Sequence, residues 1–115
     1  MLFCESLYLL GIIQKLMVRK YGREPYRVVV VHGGPGALGD VAAIARNLSS
    51  SVGVLEPIQS KYTVDGLIKE LKEQVETNTN EPLSFVGHSW GAWLALLYAD
   101  RYPAKVKQMK LVGCA

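Results

Sequence analysis

A chain of 115 residues, half of them apolar and a fifth charged, has the balance of one ordinary globular domain large enough to bury a core. A formal net charge of +3 is too small to argue for a nucleic-acid partner, and the late basic residues Arg101, Lys105, Lys107 and Lys110 read as a solvated helix end and loop. Cys4 and Cys114 stand at opposite ends and make no disulfide framework. No Cys/His cluster has ligand spacing, so no metal and no cofactor is expected. The apolar stretch from Leu7 to Val18 is broken by Gln14 and Lys15, follows Glu5 rather than a basic start, and is too short to span a bilayer. The expectation is a cytoplasmic protein with reduced thiols, no export signal and no membrane anchor.

Residues 1–15 are uncertain: Leu7, Leu9, Leu10, Ile12, Ile13 and Leu16 suit a short helix and an edge strand equally. Lys15 to Tyr21 is predicted as a strand, with Gly22-Arg23-Glu24-Pro25 as the turn after it. Val28-Val29-Val30-Val31 is a β-branched run without alternation, the pattern of a central parallel strand covered on both faces. It enters the loop His32-Gly33-Gly34-Pro35-Gly36. Val41, Ile44, Ala45 and Leu48 recur at helical spacing and predict a helix over 39–48, closed by Ser49-Ser50-Ser51. Val52 to Leu55 is the next strand, ended by Glu56-Pro57.

Thr63 is placed to N-cap a helix whose apolar stripe is Val64, Leu67, Ile68, Leu71 and Val75. Lys69, Glu70, Lys72, Glu73 and Glu76 make its other face, an ordinary solvated surface. Asn78-Thr79-Asn80-Glu81-Pro82 is a turn. A strand begins at Leu83, and the helix after Ser89 is apolar on nearly every side until Asp100 and Arg101, so deep burial is expected. Pro103 stops it, and Met109 to Val112 is the last predicted strand. Strands alternating with helices predict one α/β domain over residues 1–115, with a mostly parallel sheet and helices on both faces.

Between the strand at Leu83 and the helix lies Gly87-x-Ser89-x-Gly91. Strand, G-x-S-x-G, then helix is the order of a nucleophile elbow. The turn is too tight for side chains two residues to either side of the serine. It lifts the Ser89 hydroxyl above the sheet, and the following helix aims its positive end at developing negative charge. An acyl-transfer serine also needs two backbone donors for the oxyanion. Trp90, after the nucleophile, supplies one, and the glycine loop after the earlier strand supplies the other, with Gly34 the best placed. Pro35 cannot donate. His32, Gly33, Pro35, Gly36, Gly87, His88 and Gly91 would shape the site, His32 by bracing the loop and His88 by lining the pocket or packing under the turn. Trp90 and Trp93 read as pocket wall and core.

A rival reading takes Gly34-Pro35-Gly36-Ala37-Leu38-Gly39 as a dinucleotide fingerprint with Glu56 as its ribose partner. It leaves the second motif at Ser89 unexplained. A further alternative is a non-catalytic α/β module that binds a small molecule or a partner.

The pair His32-Gly33-Gly34-Pro35-Gly36 and Gly87-His88-Ser89-Trp90-Gly91-Ala92 resembles the α/β-hydrolase superfamily, most closely its proline-iminopeptidase-like branch. Arg101-Tyr102-Pro103-Ala104-Lys105-Val106 through Leu111-Val112-Gly113 is similar to that superfamily's helix, loop and sixth strand. The resemblance covers about residues 16–115. It implies a partial α/β-hydrolase fold whose strands are the second to the sixth of the family's sheet, and a serine hydrolase acting on a small ester, amide or peptide. Many members carry Asp-x-Arg-Gly-x-Gly after the fourth strand; here Glu56-Pro57-Ile58-Gln59-Ser60 stands instead. In the family the acid and histidine of the triad follow the serine. After Ser89 this chain has Asp100 as its one acid, and its two histidines both precede the serine. The chain is therefore expected to be a truncated member, inactive by itself, that self-associates or takes its missing half from a second polypeptide.

Overall fold

Val28 to Val31 do not alternate between core and water because helices cover both faces of their strand. The computed structural model describes residues 17–34 and 41–113. They form five strands: β1 (Val18–Tyr21), β2 (Tyr26–Val31), β3 (Gly53–Pro57), β4 (Leu83–His88) and β5 (Val106–Val112). The helices are α1 (Ala42–Leu48), α2 (Val64–Glu76) and α3 (Trp90–Arg101), with a short 3₁₀ turn at Pro103–Lys105. The sheet order is β1-β3-β2-β4-β5. β3, β2, β4 and β5 run parallel, and β1 joins β3 antiparallel. The sequence readings at residues 1–15, Cys4, Pro35, Gly36, Gly39 and Cys114 lie outside the described residues.

On one face Val29, Val31, Leu55, Leu83 and Phe85 pack against Ile68, Leu71 and Val75 of α2 and Leu94, Ala95 and Tyr98 of α3. On the other, Val30 and Val54 pack against Val41 and Ala45 at α1. The fold class is as expected: a mostly parallel sheet with helices on both faces.

Several boundaries differ from the sequence reading. β1 starts at Val18 rather than Lys15 and is the antiparallel member, pairing Arg19 with Glu56. β2 begins two residues early, at Tyr26, and β3 runs on through Glu56 and Pro57, which pair with Arg19 and Val18 of β1. The helix predicted over 39–48 is α1, which begins at Ala42. β5 begins at Val106 instead of Met109; Lys107, Gln108 and Lys110 hid it, since polar side chains are compatible with an exposed edge strand.

Thr63 caps α2 as predicted, its Oγ1 accepting the Gly66 N–H at 3.0 Å. Asp65, near the start of α2, pairs with Arg101 at 2.7 Å and Lys69 at 3.1 Å. These two cations hold its carboxyl below the usual range, Arg101 foremost. Two expectations for the helices fail. Glu70, assigned to the solvated face of α2, is buried, and so is Gln74. Trp93, assigned to the core, is 48% exposed, since α3 presses Gly91, Ala92, Leu94, Ala95 and Tyr98 inward instead.

Tyr98 is fully buried with its ring centroid 5.2 Å from those of both Phe85 and Tyr102. Its hydroxyl has no hydrogen-bond partner among the described residues, and burial pushes its pKa up to about 12. A buried polar group without a partner costs about 1–3 kcal/mol, so Tyr98→Phe should keep the ring packing and leave stability unchanged or raised. A drop in thermal midpoint would contradict this account of the hydroxyl.

Candidate active site

The register of β2 and β4 sets the site. Val31 lies opposite Gly87, so these parallel neighbours end side by side, and the loop at His32 emerges next to the turn at Ser89. The sheet order changes direction here as well: from β2 the chain goes to β3 on one side and then crosses back to β4 on the other. Open α/β sheets bind ligands outside the carboxyl ends of strands at such a switch point.

Ser89 has φ 55° and ψ −120°, the one non-glycine residue with positive φ among the described residues. Such a conformation costs about 1–3 kcal/mol and persists only where surrounding contacts impose it. Those contacts are visible. The Ser89 N–H donates to the Val112 carbonyl at 2.9 Å, and the Ser89 carbonyl accepts from the Ala92 N–H at 3.0 Å. A Cβ on Gly87 would lie 2.6 Å from the Ala92 Cα, and one on Gly91 would be driven into the carbonyl oxygens of Val31 and His32. The Ser89 side chain is exposed and makes no capping hydrogen bond to α3, although serine commonly caps helices. Trp90 opens α3, where a backbone N–H has no intrahelical acceptor.

Gly34 differs from the elbow glycines. A Cβ there would meet no atom of the described residues within 4 Å, so packing against them does not require glycine at this position. Gly87→Ala and Gly91→Ala should each lower the free energy of unfolding in urea by about 2 kcal/mol or more, through backbone collision. Gly34→Ala should change it by less than about 0.5 kcal/mol.

His32 is buried, and both ring nitrogens are engaged. Nε2 accepts the Gln59 N–H at 3.2 Å, and Nδ1 lies 2.8 Å from the Gly33 carbonyl oxygen. A neutral ring protonated at Nδ1 satisfies both contacts, because the Nε2 partner is itself a donor. His32 therefore ties its own loop to Gln59 and offers no free lone pair to a serine proton. His88 lies on the β4 face of Ser84 and Val86, and its ring comes within 3.5 Å of where a Cβ on Gly113 would stand.

The sequence reading missed Gln59. Its Nε2 donates to the His32 carbonyl at 2.9 Å, and its Oε1 accepts from the Trp90 indole Nε1 at 3.1 Å. The loop 58–60 that carries it is fastened from α2, where Gln74 Nε2 donates to the Ile58 carbonyl at 2.8 Å and Glu70 accepts from both the N–H and the hydroxyl of Ser60. These bonds explain why Glu70 and Gln74 are buried. A signal was available: Glu70 and Gln74 share an i, i+4 face with Leu67 and Leu71, inside the apolar stripe rather than opposite it.

Glu56, the ribose partner of the dinucleotide reading, is buried within the sheet and takes the Tyr21 hydroxyl on Oε1 at 2.6 Å, with Arg19 3.8 Å away. Burial and then this bond to Glu56 push the Tyr21 phenol up. The other Glu56 oxygen, Oε2, is buried without a partner among the described residues, so neither oxygen is presented to a ribose. Among the described residues no group of three or more His, Cys, Asp or Glu could hold a metal ion, and no helix is long and apolar enough to cross a membrane. A broad trough lined by Val28, Leu48, Ser84, Val86 and Lys110 reaches to Pro25 and Pro82, near the amino ends of β2 and β4, and does not include Ser89.

The family model described as the alpha/beta hydrolase fold matches residues 55–114, more than half of the chain. The chain belongs to the α/β hydrolase fold family. It is 30% identical over 126 aligned residues to a proline iminopeptidase of Thermoplasma volcanium, the match covering 96% of this chain and 42% of that protein. Among solved structures this α/β hydrolase is similar to a candidate lipase from Acinetobacter baumannii AYE, with a TM-score of 0.75 and 26% identity over 85% of this chain and 37% of that one. The thioesterase domain from the curacin biosynthetic pathway gives a TM-score of 0.74 at 24% identity, covering 83% and 40% of the two chains, and a Bacillus megaterium epoxide hydrolase gives 0.71 at 18%, covering 84% and 38%. The last two are likenesses of fold. The chain thus spans less than half the length of each of these relatives.

Proposed function

We propose that the protein is a serine hydrolase, or part of one, that transfers the acyl group of a small ester, amide or peptide to water, with Ser89 as nucleophile. The observation that carries this reading is the strained Ser89 backbone, which presents a hydroxyl not used for capping beside the Gly34 loop. Ser89 Oγ adds to the substrate carbonyl as its proton leaves to a base. The carbonyl oxygen becomes an oxyanion that accepts hydrogen bonds from the backbone N–H groups of Trp90 and Gly34. Collapse expels the alcohol or amine and leaves an acyl-serine, which water cleaves by the same route in reverse.

The base and its orienting acid come from outside residues 1–115 in this proposal, because the ring of His32 is occupied and the elbow carries His88 on the sheet side of the turn. They would arrive on further chain or on a second polypeptide, and β5, an exposed edge with Leu111 and Val112 each 38% accessible, is a natural place for added strand pairing or self-association. The cytoplasm is the compartment we assign, on the two unpaired cysteines expected from the sequence.

In the protein completed with those groups, a fluorophosphonate should label Ser89, and Ser89→Ala should abolish both labelling and turnover; labelling that persists in the variant would refute the assignment. Gly34→Val should lower turnover by about a hundredfold or more, the scale of a lost oxyanion donor, while urea unfolding stays within about 1 kcal/mol of the parent. Residues 1–115 alone should give no acyl burst with an activated ester, since a serine without a base is a weak nucleophile.

A further inference from the structure

We propose that Gln59 is a positioning residue that locks Trp90 and the His32–Gly34 loop into one fixed relation, so that two backbone N–H groups converge on the same oxyanion. This rests on the reading of Ser89 as nucleophile and adds to it a residue that touches neither the serine nor the substrate.

Oxyanion stabilisation requires donors placed before the reaction, within a few tenths of an ångström of where charge will develop. Here the two donors belong to different segments, Gly34 after β2 and Trp90 at the start of α3. Gln59 bonds to both segments at once, giving its amide N–H to the His32 carbonyl at 2.9 Å and taking the Trp90 indole N–H at 3.1 Å. Its backbone N–H adds a third bond, to His32 Nε2 at 3.2 Å. A planar amide provides donor and acceptor on one rigid group, which leucine, glutamate at neutral pH and lysine do not.

The platform beneath Gln59 is itself fixed. The Ile58 N–H donates to the Met17 carbonyl at 2.9 Å, the Ile58 carbonyl accepts from Gln74, and Ser60 donates twice to Glu70. Packing α2 on the sheet would be served by apolar residues at 70 and 74. Two buried polar residues there, both hydrogen-bonded to the same three-residue loop, are explained by a need to hold that loop's path. A fixed loop delivers the Gln59 amide to the site in one orientation.

The test uses the full protein expressed from its own gene, together with any second polypeptide that supplies the base, with p-nitrophenyl acetate as substrate and Ser89→Ala alongside. In Gln59→Leu, the Trp90 indole N–H resonance should shift upfield while that of Trp93 stays in place. Its kcat should fall about tenfold to a hundredfold with KM changed by less than about threefold, the size of effect that a small displacement of catalytic groups produces. Gln59→Glu guards against a leucine variant that fails to fold. A protonated carboxyl can still give a hydrogen bond to the His32 carbonyl and accept the indole, whereas a carboxylate repels the carbonyl. The kcat of Gln59→Glu relative to the parent should therefore rise as pH is lowered through the carboxyl range, a profile that a merely structural role would not produce. With Ser89→Ala inactive, a Gln59→Leu kcat within twofold of the parent, or a flat Gln59→Glu ratio, overturns the positioning role and leaves the nucleophile standing. Turnover undiminished in Ser89→Ala, or none that depends on Ser89, overturns the site reading and the positioning role together.

Discussion

Everything at the carboxyl edge of the sheet depends on how closely α3 approaches the end of β2. At Gly91 there is no room for even a methyl group against the Val31 and His32 carbonyls. That contact sets the height of the helix above the sheet, and Gly87 permits the same closeness on the strand side. With both ends of the turn pressed down, Ser89 has no relaxed conformation available, and positive φ follows as a consequence of packing. The energy that holds the strain comes from the apolar layer beneath, where Leu94, Ala95 and Tyr98 meet Phe85 and Val31.

A second, polar layer supports the first. Glu70 and Gln74 interrupt the apolar face of α2 and are satisfied by the loop after β3, which in turn reaches β2's loop and the start of α3. Buried polar groups are tolerated when every partner is present, and they then impose a geometry more specific than apolar contact can. A helix that contributes no residue to the turn at Ser89 thereby helps to place the residues around it.

Much of this was legible in the sequence, and the reasons differ by element. The valine run announced a strand buried on both faces, and Gly87, Ser89 and Gly91 announced the elbow, because each constraint is local and glycine there has a steric cause. Thr63 declared its helix by the same local logic. Where a partner is distant the sequence was silent or misleading. Glu70 reads as surface until Ser60, ten residues earlier, folds back onto it. Gln59 reads as an ordinary loop polar residue, since its partners are 27 and 31 residues away. The antiparallel attachment of β1 and the early start of β5 are likewise set by pairing, and the alternation of an edge strand is weak when lysines occupy it.

The bond from the Ser89 N–H to the Val112 carbonyl has a dynamic consequence. It fastens the one positive-φ non-glycine turn among the described residues to the last residue of a strand that pairs, among those residues, on one side only, where fraying is cheapest. Each time the end of β5 opens, the turn loses one of the restraints that hold it, so the lifetime of the strained backbone conformation is tied to the breathing of a strand tip rather than to the rigid core below. A strand pairing with that tip would slow the breathing and steady the Ser89 turn without touching it.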